Sequence, residues 1–237
     1  MIRITAHLRS PADQMALFML TDAIRRACRA PIHLNMPYVP YARQDRVCNP
    51  GEALAAKVFC QMINAQDYES VTIFDPHSDV VPALLDRVVV KDAAEAIGLV
   101  LERSEFADGV TFIAPDAGAQ KRVLKLAKRF GVDSVACAEK VRDTKTGEIL
   151  GVDLDFDFPA GKPALVIDDI CDGGATFIAL SENITTKCAS YSPLFLYVSH
   201  GIFSKGVDRV ADHYDHIFAG YNWTGETCPN LTTIFEG

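Results

Sequence analysis

The chain has 237 residues, 49% of them apolar and 23% charged, with a net charge of −8. That length and composition suffice for one large or two modest soluble α/β domains. An acidic surface excludes nucleic acid and anionic membrane as general partners, and no apolar run reaches the roughly 18 residues of a spanning helix. From the N-terminus, residues 2–8 alternate weakly as a strand, with no signal-peptide layout ahead of them. Ser10-Pro11-Ala12-Asp13 then predicts a helix start, with Ser as cap and Pro in the first turn, and the helix runs on to Ala27. Residues 32–36 alternate as a strand, 52–65 read as a helix and 70–74 as a buried strand. Strand 88–90 and helix 92–102 follow, then strand 110–114 and a basic helix through Arg129. Residues 132–137 form another strand, and 138–157 carry no helical period but hold the turn signal Thr144-Lys145-Thr146-Gly147 of a flexible hairpin. A strand beginning at Ala164 leads to a helix over 177–183, a strand over 194–198, and short apolar runs at 217–219 and 231–235.

Alternation of strands and helices predicts an α/β fold with mostly parallel sheets flanked by helices. The strand count exceeds one five-stranded unit and predicts two similar domains, residues 1–91 and 92–237. Seven cysteines without a CxxC pair point to reduced thiols and a cytoplasmic protein.

Unusual residues gather in loops that follow predicted strands. In Ala164-Leu-Val-Ile-Asp168-Asp169-Ile-Cys171-Asp172-Gly173-Gly174-Ala175-Thr176, a buried strand ends in paired acids and a small-residue turn into a helix. Backbone amides at such a turn suit phosphate. Adjacent acids suit a sugar diol or a hydrated divalent cation. Together they ask for a phosphorylated sugar; Asp172 alone would fit a helix cap. Tyr41-Ala42-Arg43-Gln44-Asp45-Arg46 offers two guanidinium forks for phosphate and polar groups for a base or ribose edge, or else a solvated loop. Asp75-Pro76-His77 places an imidazole at a strand end, for metal, for phosphate or for structure. Pro115-Asp116-Ala117-Gly118 is a second small turn into a helix, able to seat a diphosphate or to cap the helix with Asp116. Lys140 and Arg142 on the hairpin are two cations on one side of an extended segment, suited to neutralising a transferred phosphoryl group or to solvent.

These loops, in this order, resemble the ribose-phosphate diphosphokinase family of the type I phosphoribosyltransferase superfamily. The resemblance implies two phosphoribosyltransferase-like domains. It also implies transfer of the β,γ-diphosphoryl group of ATP to the anomeric hydroxyl of ribose 5-phosphate. Arg43, Gln44, Asp45, Arg46 and His77 would then lie on the ATP side, and His77 and Asp116 would bind magnesium (Mg2+). Asp116, Ala117 and Gly118 would form the diphosphate loop. Catalytic roles fall to Lys140, Arg142 and His77. Asp168 and Asp169 would hold the ribose hydroxyls, with Asp172, Gly173, Gly174, Ala175 and Thr176 around the 5-phosphate. A homo-oligomer, dimer or hexamer, is expected.

The sequence also departs from the family. It shows neither the family's N-terminal Phe-x-Asp/Gly-Gly-Glu stretch nor its final helix. At 173–176 it reads Gly-Gly-Ala-Thr where the family usually has Thr-Gly-Gly-Thr. Loss of that hydroxyl leaves room for a phosphodiester, and so for a larger 5-substituted ribose such as ADP-ribose. A phosphoribosyltransferase and a non-catalytic synthetase-like regulatory subunit are the remaining alternatives.

Overall fold

The computed structural model describes residues 1–142, 149–154, 156, 159, 161–187 and 193–235, without the side chains of 140–142, 149–153 and 187. Two units divide the chain, Met1–Ala93 and Ala94–Gly237.

In the first unit, strands β1 (Ile2–Thr5), β2 (Ile32–Asn35), β3 (Ser70–Phe74) and β4 (Val88–Lys91) form a parallel sheet in the order β1-β2-β3-β4. Helices α1 (Pro11–Ala27), α2 (Ala55–Asn64) and α3 (Val80–Leu84) make the connections with or beside their loops. The start of α1 is as expected: Asp13 N–H donates to Ser10 Oγ at 3.3 Å while Ser10 N–H donates to Asp13 Oδ2 at 2.7 Å. Leu34, Met36, Phe59, Ile63, Tyr68 and Ile73 fill the core between sheet and helices. Helix α2 begins later than the expected Glu52. The Glu52 carboxylate turns back to accept from the amides of Cys48 and Asn49, at 2.9 and 3.0 Å, and so caps the preceding turn. The first strand stops at Thr5 rather than residue 8, where its pairing with β2 ends.

In the second unit, α4 (Ala94–Leu101) precedes β5 (Thr111–Ala114), α5 (Ala117–Phe130) and β6 (Val135–Cys137). An antiparallel pair, β7 (Glu139–Arg142) and β8 (Ile149–Asp153), confirms the expected hairpin, although its tip lies outside the described residues. There follow β9 (Ala164–Cys171), α6 (Ala175–Lys187), β10 (Leu194–Gly201), α7 (Asp208–Ala211), β11 (His216–Asn222) and β12 (Leu231–Thr233). Six of these strands make a parallel sheet in the order β12-β11-β10-β9-β5-β6, with β9 near its middle. Such a sheet is covered on both faces, and β10 is accordingly buried at all eight positions. Strands β9 and β10 run further than expected. Their ladder continues to Gly201 opposite Cys171, and the amides of Ile202 and Phe203 then donate to the Cys171 carbonyl, at 2.8 and 3.0 Å. The acids at 168 and 169 therefore lie inside the strand's last turns of pleat rather than beyond its end. His200 and Gly201 likewise belong to β10 and not to the following loop.

Among the described residues, no helix is long and apolar enough to cross a membrane.

Candidate functional site

In the first unit, the chain enters the arginine-rich segment through buried Val39 and turns at Tyr41, whose φ of 62° is left-handed. Gln44 N–H donates back to the Tyr41 carbonyl at 2.8 Å, and Ala56 N–H donates to the Gln44 carbonyl at 3.2 Å, fixing the segment to the foot of α2. Ala42 is buried while Arg43, Gln44 and Arg46 are exposed, so the anchor is apolar and the polar tips face water. Tyr41 packs on Phe59 with ring centres 5.9 Å apart. At the end of β3, Asp75 is buried with a φ of 38°, and its N–H donates to the Lys91 carbonyl at 2.7 Å. His77 is exposed just beyond it. The two loops meet: Ser78 Oγ donates to Asp45 Oδ2 at 2.7 Å. Asp45 is thus a partner of the neighbouring loop, a role that its position beside Gln44 did not suggest.

In the second unit, helix α5 reaches the acid pair on β9, and the turn into α6 follows it in the chain. Asp169 is nearly buried and Asp168 about five-sixths covered, their side chains 6% and 17% exposed. Asp169 N–H donates to Asp168 Oδ1 at 2.9 Å. Arg122 of α5 sends one nitrogen, Nη1, to Oδ1 of both acids, at 3.4 Å from Asp168 and 3.2 Å from Asp169. Burial first, and then the neighbouring Asp169 charge, push the Asp168 carboxyl well above the usual carboxylate range; the Arg122 cation opposes this shift. Arg122 was not singled out from sequence. It lies in a helix already rich in Lys and Arg, and only the crossing of α5 over the sheet separates it from Lys121 and Lys125.

After Cys171, residues 172–174 turn into α6. Gly174 has a φ of 78°, and a side chain there would place its Cβ 2.4 Å from Val210 Cγ2, so only glycine lets the turn close on α7. Gly173 has no such need. Its Cβ position lies 3.5 Å from both Cδ and Cε of Lys205, whose stem therefore runs alongside the turn. Lys205 too is a neighbour the sequence did not reveal, brought in by the loop after β10, in which Phe203 is buried. Helix α6 starts at Ala175, two residues earlier than expected, so Ala175 and Thr176 form its first turn. Burial, followed by the Asp168 and Asp172 charges, pushes the Cys171 thiol up to about 12.

Asp116 caps α5: Ala119 N–H donates to its Oδ1 at 3.1 Å, and a Cβ on Gly118 would sit 3.1 Å from the same oxygen. The helix-cap alternative is therefore realised at Asp116, with Ala117 and Gly118 exposed in the first turn. The backbone of Lys140 and Arg142 pairs within the hairpin, but the side-chain roles expected of them lie outside the described residues. Among the described residues, no group of three or more His, Cys, Asp or Glu side chains is gathered so as to hold a metal ion.

The chain is similar to known proteins of one family. Residues 4–66 match the model of the N-terminal domain of ribose phosphate pyrophosphokinase. A ribose-phosphate pyrophosphokinase of Thermococcus kodakarensis is 30% identical over 212 residues, covering 87% of this chain and 72% of that protein. One from Ralstonia nicotianae is 29% identical over 200 residues, covering 84% of this chain. The chain spans 62% of the length of that second relative. The crystal structure of phosphoribosylpyrophosphate synthetase from Mycobacterium smegmatis superposes with a TM-score of 0.81 over 98% of this chain and 76% of that one, at 20% identity. That likeness carries the fold.

Proposed function

Because the chain belongs to the ribose-phosphate pyrophosphokinase family, we propose that it makes phosphoribosyl pyrophosphate and AMP from ATP and ribose 5-phosphate. The observation that carries this reading is the pair Asp168 and Asp169, held at the carboxyl end of the central strand beside the Gly174 turn into α6. Two neighbouring carboxylates are matched to two neighbouring hydroxyls, and a turn whose amides open a helix is matched to a phosphate a few ångströms further on. A ribose 5-phosphate carries both groups on one small molecule. The anomeric oxygen attacks the β-phosphorus of ATP, the bond from that phosphorus to the oxygen bridging to the α-phosphate breaks, AMP leaves, and the hydroxyl proton is released.

Residue roles follow that assignment. Domain 1–91 is the ATP side, where Arg43 and Gln44 contact the nucleotide and Arg46 lies near it, while Asp45 keeps the segment in place against Ser78. Domain 92–237 is the ribose-phosphate side. Asp168 and Asp169 accept from the ribose hydroxyls, and Asp172, Gly173, Gly174, Ala175 and Thr176 surround the 5-phosphate. Ala117 and Gly118, after Asp116, present free first-turn amides toward the diphosphate. Lys140 and Arg142 neutralise charge developing on the transferred group.

Magnesium fits the donor set. It keeps several waters and is bound through one or two carboxylates plus substrate phosphates, so a cage of protein ligands is not required. His77 on the ATP side and Asp116 on the ribose-phosphate side are the residues that would bind it, each within its own domain, and bound magnesium would offset the charge of the phosphates. We also assign the enzyme to the cytoplasm and to a homo-oligomer, dimer or hexamer.

Release of AMP from ATP with and without ribose 5-phosphate tests the reading. Sugar-dependent AMP is expected. Absence of AMP, with base-dependent pyrophosphate release from phosphoribosyl pyrophosphate, would reassign the chain to the phosphoribosyltransferases. No turnover at all, with a change in the rate of a partner synthetase, would make it a regulatory subunit.

A second reading has its own support at Gly173. No hydroxyl stands there, and the Lys205 stem runs alongside instead. A cation at the rim of the phosphate seat suits a substrate that continues past its 5-phosphate, as the diphosphate of ADP-ribose does. Rates with ribose 5-phosphate and ADP-ribose, measured side by side, separate the two acceptors; a clear preference for the small sugar removes the second.

A further inference from the structure

We infer that Arg122 is the positioning residue for sugar recognition: its single bridging nitrogen holds Asp168 and Asp169 together as one ionised acceptor for the ribose hydroxyls. This assignment rests on the reading of the acid pair as the sugar site.

Two adjacent carboxylates with 17% and 6% of their side chains exposed have lost most of the water that would keep both charged. Left alone, such a pair holds a proton between its members, and a protonated acid offers fewer acceptor lone pairs to a diol. Arg122 supplies part of the missing compensation. Its own side chain is only 18% exposed, so its charge is poorly screened, and it reaches one oxygen of each acid at 3.4 and 3.2 Å. The contact also fixes orientation. Asp169 N–H already donates to the Asp168 oxygen that Arg122 touches, so that oxygen is held from two directions. The reach of α5 across β5 to β9 is what delivers the cation, and β5 itself, Thr-Phe-Ile-Ala, carries no ionisable side chain that could replace it.

The bridge to the two acids is made by one nitrogen, so an ammonium can supply the charge at that point. A lysine at 122 should therefore rescue function where a neutral side chain fails. Arg122 contacts the acids assigned to the sugar, so its loss should act on the sugar first.

The test uses the full-length protein, with initial rates of AMP formation at saturating ATP over a ribose 5-phosphate series, and the converse. For Arg122→Gln, the KM for the sugar is expected to rise about tenfold or more, the size of one charge-assisted contact, with the KM for ATP within about twofold. Arg122→Lys should stay within about threefold of the parent for both. If Arg122→Gln melts early, Arg122→Met, which keeps the stem and loses the charge, replaces it. An unchanged sugar KM overturns the inference, as does a fall in kcat alone, or an equal loss for both substrates that lysine does not rescue. A parent protein that forms no AMP with the sugar overturns the functional reading instead, and the two failures are thereby distinguished.

Discussion

Ser78 donates to Asp45 at 2.7 Å, joining two loops that lie 33 residues apart in the chain. Ser78 also accepts from Val80 N–H at 3.3 Å, so the same hydroxyl ties the arginine-rich segment to the start of α3. Neither loop has a helix or strand of its own at that point, and the contact substitutes for one. Ser78→Ala should cost about 1 kcal/mol of loop order. We expect the KM for ATP to rise about fivefold with the KM for the sugar unchanged, measured as initial rates.

Asp168→Asn should separate stability from function. The folded protein holds the Asp168 carboxyl well above its ordinary range, chiefly through burial and the Asp169 charge. A raised carboxyl costs stability above its unfolded value, because the folded chain must carry a charge it disfavours, and that cost fades as pH falls and the group takes a proton. The neutral amide removes the cost. Thermal unfolding of Asp168→Asn is expected at a higher temperature than the parent at pH 7, with the gap shrinking toward pH 4. The same variant should lose sugar binding, and stability gained at the expense of a strained site is the common trade.

Glycines 173 and 174 should respond oppositely to alanine. At Gly174, a methyl meets Val210 at 2.4 Å on a left-handed backbone. Gly174→Ala is expected to lose about 2–4 kcal/mol in denaturant unfolding. At Gly173 the nearest atoms are 3.5 Å away on the Lys205 stem, an ordinary contact with no backbone penalty. Gly173→Ala should unfold within about 0.5 kcal/mol of the parent.

Cys171 should be inert. Its thiol is buried and lifted to about 12, mainly by that burial, so almost none is thiolate at neutral pH. Cys28 and Cys48 are exposed. Alkylation of the native protein, followed by peptide mapping, should find label on those two and none on Cys171. Rapid labelling of Cys171 would mean that the strand end opens.

How much of this was legible in the sequence depends on how local each feature is. The cap of α1 was readable because Ser10, Pro11 and Asp13 act within one turn. Strand β3 was read with its bounds intact, and β9 with its start, since apolar runs of that length suit a covered sheet. Boundaries failed where a tertiary partner decided them. The β10 ladder carried β9 on to Cys171, and Glu52 left its helix to serve an earlier turn. Helices α3 and α7, five and four residues long, are too short to leave a period. Within the site, the paired acids and the glycine turn stood out by composition. Arg122 and Lys205 did not, because a cation on a basic helix or an exposed loop acquires meaning only from what the fold sets beside it.

Strand β9 lies between a neighbour made earlier, β5, and one made later, β10. It can be zipped on one edge as soon as it appears, but its second edge waits for the chain beyond α6. Two negative charges therefore enter a water-poor interior only when the sheet closes around them, with Arg122 already in place on the earlier helix. Both pairings are non-local, Thr111 opposite Ala164 and Ala164 opposite Leu194, so the surroundings of the acid pair rest on the slower kind of contact. A chain halted before β10 would carry every acid of the site and none of its geometry.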